Sequence, residues 1–104
     1  MFSRDSRYRT KGVDEAISEQ LQNKLWQILD NDISNGKPID YLQVFELCAG
    51  QVDGKPVQHV RQRQEQPKRA RLHTFTDIVR PVSNMTIWVI DSGTYSTMLL
   101  SSEY

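Results

Sequence analysis

The side chains best suited to covalent chemistry are one cysteine, Cys48, and two histidines, His59 and His73. A thiol becomes a nucleophile when a base lies within hydrogen-bond reach, and either histidine could serve if the fold brought it close. No motif supports such a pairing. Cys48 ends an apolar run between Leu47 and Ala49, where a free cysteine behaves as a small buried hydrophobe. Structural zinc needs four ligands at close spacing, whereas this chain offers one cysteine and two histidines fourteen residues apart. Asp30, Asp32 and Asp40 form the nearest carboxylate cluster, but the calcium-loop spacing is absent and solvated side chains are expected. Neither Gly-rich phosphate cradle is present, and Asp91-Ser92-Gly93 reads as a hairpin turn rather than a nucleophile elbow. The residues therefore predict a non-enzymatic protein with no metal and no cofactor.

Cations offer a different chemistry. Arg61, Arg63, Lys68, Arg69 and Arg71 lie within eleven residues, with Arg61 and Arg63 on one side of a strand and the others around a loop, where they could contact phosphate or an acidic partner. Arg4, Arg7, Arg9 and Lys11 stand among Phe2 and Tyr8, a composition that holds single-stranded nucleic acid. Against this, net charge is zero, no nucleic-acid motif occurs, and basic residues on strand edges also serve to discourage edge-to-edge pairing. The charges fall in blocks. Residues 1–13 are net +3, 14–54 net −6, 55–80 net +5 and 81–104 net −2. Folding either interleaves these blocks or leaves opposed faces; interleaving is favoured. Glu15, Glu19, Asp30 and Asp32 could likewise face a basic protein surface, although a solvated helix face is the simpler reading.

The elements that must position these groups follow from periodicity. With 104 residues, 38% hydrophobic and 25% charged, the chain is sized for one folded domain over 1–104. The basic N-terminus has no apolar run behind it and no stretch is long enough to span a bilayer, so a soluble, non-membrane protein is expected; the lone cysteine favours a reducing cytoplasm. Ile17, Leu21, Leu25, Ile28, Leu29 and Ile33 form one stripe at spacings of three and four, which predicts a helix from about Asp14 to Asn35. Asp14 or Ser18 caps its start, and Gly36 before Pro38 stops it. Asp30 and Asp32 sit at the unfavourable end of its dipole.

Everything else reads as strand. Arg7–Val13 is a first edge strand, and Tyr41–Cys48 with Pro56–Gln64 forms a hairpin about Asp53-Gly54, with Pro56 placing the second strand near an edge. A polar segment over residues 65–71 precedes a strand from Leu72 to Val79. Met85–Ile90 and Tyr95–Leu100 form the last hairpin, with apolar residues on both faces, as in central strands. The predicted fold class is α+β: one long amphipathic helix packed on a mainly antiparallel sheet of four to five strands. One helix cannot cover both faces of such a sheet. The second face must curl, take up the 65–80 segment, pair with a second copy as a homodimer, or bind a partner. A protein partner through a sheet face is favoured, with nucleic acid at the 61–71 segment as the alternative.

Three runs resemble a known family: IWVIDSGTYSTMLLSSEY (Ile87–Tyr104), YLQVFEL (Tyr41–Leu47) and the opening MFSRDSRYRTKGV. They are similar to small Firmicute proteins of domain-of-unknown-function family 960, with Ala49–Val79 matching only by position. The resemblance implies an α+β fold and bacterial origin, and brings no site residues. It also implies members carried on plasmids and conjugative elements, which admits roles in antagonising host defence, such as anti-CRISPR inhibition.

Overall fold

Two helices stand where one was expected over Asp14–Asn35, and the apolar stripe lies on the second, in a computed structural model that describes residues 1–104. They are α1 (Lys11–Ala16) and α2 (Glu19–Ser34). Ile17 and Ser18 between them are extended. The Ser18 hydroxyl causes the break: it accepts from the Leu21 amide at 3.2 Å, taking the donor that a continuous helix would give to the Ile17 carbonyl. That carbonyl receives the Gln22 side-chain amide instead, at 3.0 Å. Thr10 caps α1 in the same way through the Val13 amide. At the far end of α2, Gly36 adopts φ +67°. Its amide donates to Ile33 O and that of Lys37 to Asp32 O, the paired bonds of a Schellman stop.

Six strands form a single sheet in the order β1-β6-β5-β2-β3-β4: β1 (Arg7–Arg9), β2 (Leu42–Val52), β3 (Lys55–Glu65), β4 (Lys68–Phe75), β5 (Met85–Asp91) and β6 (Ser96–Leu100). The count exceeds the predicted four to five. β1 pairs in parallel with β6, and all other pairs are antiparallel. β1 stops after three residues because Thr10 turns the chain into α1, where an edge strand to Val13 was expected. The β2–β3 turn places Asp53 and Gly54 at φ 52° and 77°, the positive pair that a two-residue hairpin twist requires. β3 is an interior strand, contrary to the reading of Pro56. The proline is tolerated because β4 ends at Phe75 opposite Gln58, leaving no strand beside Pro56 on that side.

The largest revision lies at residues 65–75. Pairing resumes at once after the Gln66–Pro67 turn, with Lys68 opposite Glu65, so Lys68, Arg69 and Arg71 stand on a strand and not in a loop. The chain then leaves the sheet and recrosses the helical side from Thr76 to Asn84, where Ile78 is buried in the core. The Gln20 amide fixes this segment by donating to Asp77 O and accepting from Val79 N. Gln58 does the same through both backbone groups of Val82.

The core lies between the helices and one face of the sheet. Leu21, Leu25, Ile28 and Leu29 of α2 meet Phe45, Leu47, Val60, Ile87, Val89 and Met98, with Phe2 and Val13 closing the β1 end. No helix is long and apolar enough to cross a membrane. Replacing the cap tests the helix break directly: Ser18→Ala is expected to lower stability by about 1 kcal/mol, seen as a lower urea midpoint with an unchanged slope.

Candidate functional site

The helix-facing side of β2, β3 and β4 is polar at its end beyond Val60. Gln43, Gln62 and Gln64 are buried there with Asp32 of α2, itself 2% exposed. Gln62 Nε2 donates to Asp32 Oδ2 at 2.9 Å and to Gln43 Oε1 at 3.0 Å. Gln43 Nε2 donates onward to Gln64 Oε1 at 2.8 Å and to Asp40 O at 3.0 Å. Arg71 and Arg69 both pair with the Asp32 carboxylate, and Arg71 also donates to Gln62 Oε1 at 2.8 Å. His73 shares that oxygen at 2.9 Å. Amides suit such a chain because each donates and accepts at once.

This arrangement overturns the solvated reading of the aspartates. Asp32 is buried between two guanidinium groups, and Asp40 accepts from backbone amides of Tyr41, Glu65 and Gln66. Asp30 meets Arg7 at 2.5 Å and Arg4 at 3.4 Å. Burial pushes the Asp30 carboxyl up, but hydrogen bonding and charge from Arg7, with Arg4 behind it, outweigh this and hold it below the usual range. The Arg7 guanidinium also lies 4.6 Å over the Trp26 ring. The misplaced charges of α2 are thus offset by arginines from β1 and β4. No residue within the helix could have signalled this.

The five basic residues of the 61–71 segment are divided between the two faces of the sheet. Strand alternation turns Arg69 and Arg71 toward α2, and puts Arg61, Arg63 and Lys68 on the opposite face. There Arg61 donates to Glu46 at 2.8 Å, and Arg63 approaches the same carboxylate at 3.7 Å. Lys68 takes part in none of the ion pairs.

No helix packs on that opposite face. Its side chains form rows across the sheet: Leu72–Arg61–Glu46–Thr86, then Ala70–Arg63–Val44–Trp88–Leu99, then Leu42–Ile90–Thr97–Tyr8. Tyr8 is 60% and Leu72 66% exposed. Tyr95 stacks edge-on against Tyr8, and Tyr104 lies against Trp88 with ring centres 5.2 Å apart. Outward Trp88 and Ile90, alternating with inward Ile87 and Val89, are the signal that identified this face from sequence. Tyr104 gave none.

Cys48 and His59 also face this side, directly opposite each other in the β2–β3 register. The thiol is exposed, not buried, because no second layer covers it. Its hydrogen-bond partner is Ala49 O at 3.5 Å, while His59 Nδ1 is 2.9 Å from Thr74 Oγ1. No hydrogen bond links the two, and His73 lies on the other face. No three His, Cys, Asp or Glu side chains are grouped so as to hold a metal ion.

Fold and site define a two-layer α+β protein with one sheet face open. The chain belongs to the family described as Staphylococcal protein of unknown function (DUF960), whose model matches residues 6–103. The match includes the 49–79 stretch that sequence resemblance placed only by position. The crystal structure of a protein of unknown function from Enterococcus faecalis is similar over 100% of this chain and 98% of that one, with 27% identity and a TM-score of 0.76. No curated protein matches the sequence.

Two outcomes follow from the polar cluster. Asp32→Ala leaves Arg69, Arg71 and Gln62 without their acceptor and is expected to cost about 3 kcal/mol, the low end for a broken buried pair because both arginines keep some solvent, measured by urea denaturation. Burial and the nearby charge of Arg71 depress the His73 pKa below 6.5, with Asp32 opposing, so the unfolded chain binds the proton more readily. Stability is therefore full above pH 6.5 and declines as pH falls through the lower folded value. His73→Gln should flatten the urea midpoint between pH 7.5 and 5.

Proposed function

We propose that this protein acts by binding another protein through its open sheet face, with no reaction of its own. One observation supports this above the rest: Leu42, Ile90 and Tyr8 share one cross-strand row and Trp88 stands in the next, all outside the core cluster, with Arg63 across Val44 from Trp88. Aromatic residues and arginine are the types enriched where proteins meet, and a contiguous apolar face left open to solvent marks an interaction site. The face is also large enough. The molecule measures 42 × 29 × 22 Å, and a standard interface takes roughly 800 Å² from each partner.

Nucleic acid fits this surface less well. Phosphate binding needs several uncommitted cations, but Arg69 and Arg71 are engaged with Asp32, and Glu46 lies between Arg61 and Arg63. Antagonism of a host-defence protein, as the family resemblance suggests, would be one use of such a face, and a second copy of this chain one form of partner.

The test is affinity capture from the native host beside sedimentation velocity of the purified chain, using wild type, Ile90→Glu and Arg61→Glu. A captured protein or dimer reduced at least tenfold by Ile90→Glu, with the fold intact by circular dichroism, is the expected result. Recovery of RNA or DNA that dissociates steeply with salt, and no protein dependent on Ile90, would overturn the reading.

A further inference from the structure

The open face is not flat. Beside Trp88 it sinks into a cavity of about 340 Å³, floored by Leu42 and Val44 and walled by Trp88, Tyr41 and Arg63. Cross-strand register fixes the lateral walls, because Arg63 and Trp88 are the two direct neighbours of Val44 on either side of β2. Their shading leaves Val44 only 6% exposed on a face with no second layer. The end wall is held just as firmly. Buried Asp40 accepts from the Tyr41 amide at 2.8 Å with one carboxylate oxygen and from the Gln66 amide at 3.0 Å with the other. A single side chain thus ties the start of β2 to the β3–β4 turn. Tyr104 backs the indole of Trp88. The cavity is therefore formed before anything occupies it, which lowers the ordering cost of binding.

Its chemistry narrows the occupant. An apolar floor between an indole and a guanidinium suits a flat ring, since both walls attract π-systems. Arg63 keeps donors to spare, because its contact with Glu46 is 3.7 Å long while Arg61 holds that carboxylate at 2.8 Å. A guanidinium with free donors takes a carboxylate in a two-point contact.

Building on the protein-binding reading, we propose that the Trp88–Val44–Arg63 cavity receives an aromatic side chain from an extended protein segment, with an acidic residue adjacent to it binding Arg63.

The probe is a phage-displayed library of random 12-residue peptides selected on the full-length protein. Enrichment of peptides pairing an aromatic residue with Asp or Glu is expected. Their affinity should fall at least tenfold on Val44→Trp, which fills the floor, and on Arg63→Glu, which reverses the rim charge. Val44 is buried though outside the main core cluster, so circular dichroism must show Val44→Trp folded; Arg63→Glu alters only the rim, and the shift of the Trp88 indole NH on peptide addition gives a readout in the unaltered protein. Selection without that pairing, binding to either folded variant as tight as to the wild type, or shifts confined to another surface would overturn the proposal. So would a single-stranded decanucleotide perturbing the same residues, or a dimer that Val44→Trp dissociates. If Ile90→Glu abolishes capture of a protein while the peptides fail, the open face stands as the interface and the cavity alone is refuted.

Discussion

An ionised carboxylate sealed between a helix and a sheet is tolerable only if its charge and lone pairs are met on the spot. Asp32 is that carboxylate, and much of the molecule is arranged around it. Two guanidinium groups from β4 and one amide from β3 converge on it, which sets how the β3–β4 hairpin lies against the end of α2. Strand alternation then does the rest. With Arg69 and Arg71 turned inward, Arg61, Arg63 and Lys68 must face outward. The same contact that anchors the helix divides the basic segment between two surfaces, leaving on the sheet's second face two arginines that share Glu46.

The charge blocks acquire a physical meaning in this light. The basic N-terminal block sends Arg4 and Arg7 to Asp30 and Arg9 to Asp14, and the basic 55–80 block sends four of its five arginines to Asp32 and Glu46. Segregation along the chain thus becomes pairing in space. Opposite blocks attract over long sequence separations, drawing β1 and β4 against α2. What remains for a partner is shape and apolar surface rather than a strong field.

Local signals in the sequence were reliable where local physics decides. Hydrophobic spacing located α2, Asp53-Gly54 located the β2–β3 turn, and two-sided apolar alternation located β5 and β6. The misreadings of β4 and of the buried polar cluster share a cause, namely that the determinant lay elsewhere in the chain. Lys68, Arg69 and Ala70 have little intrinsic strand preference and extend only because β3 offers them a ladder. Gln62 and Gln64, alternating with Arg61 and Arg63, look like the wet side of a strand until α2 covers them. The Ser18 break was within reach of sequence, since a hydroxyl able to cap a helix start can also interrupt one. The open face was legible as an excess of apolar strand surface over available helix, but its cavity was not, because that depends on Asp40 bridging two turns.

The β2–β3 hairpin reaches further than its neighbours. β5 stops opposite Leu47 and β4 opposite Gln58, and past the ties from Ser83 to Ala49 and from Val82 to Gln58 residues 50–56 form a ribbon with no strand beside it, beyond buried Val57. An isolated two-stranded ribbon has only marginal stability of its own. The tip can therefore fray and close again while the six-stranded body stays intact, and its amide hydrogens would exchange with solvent at a rate set by that local opening, not by unfolding of the molecule.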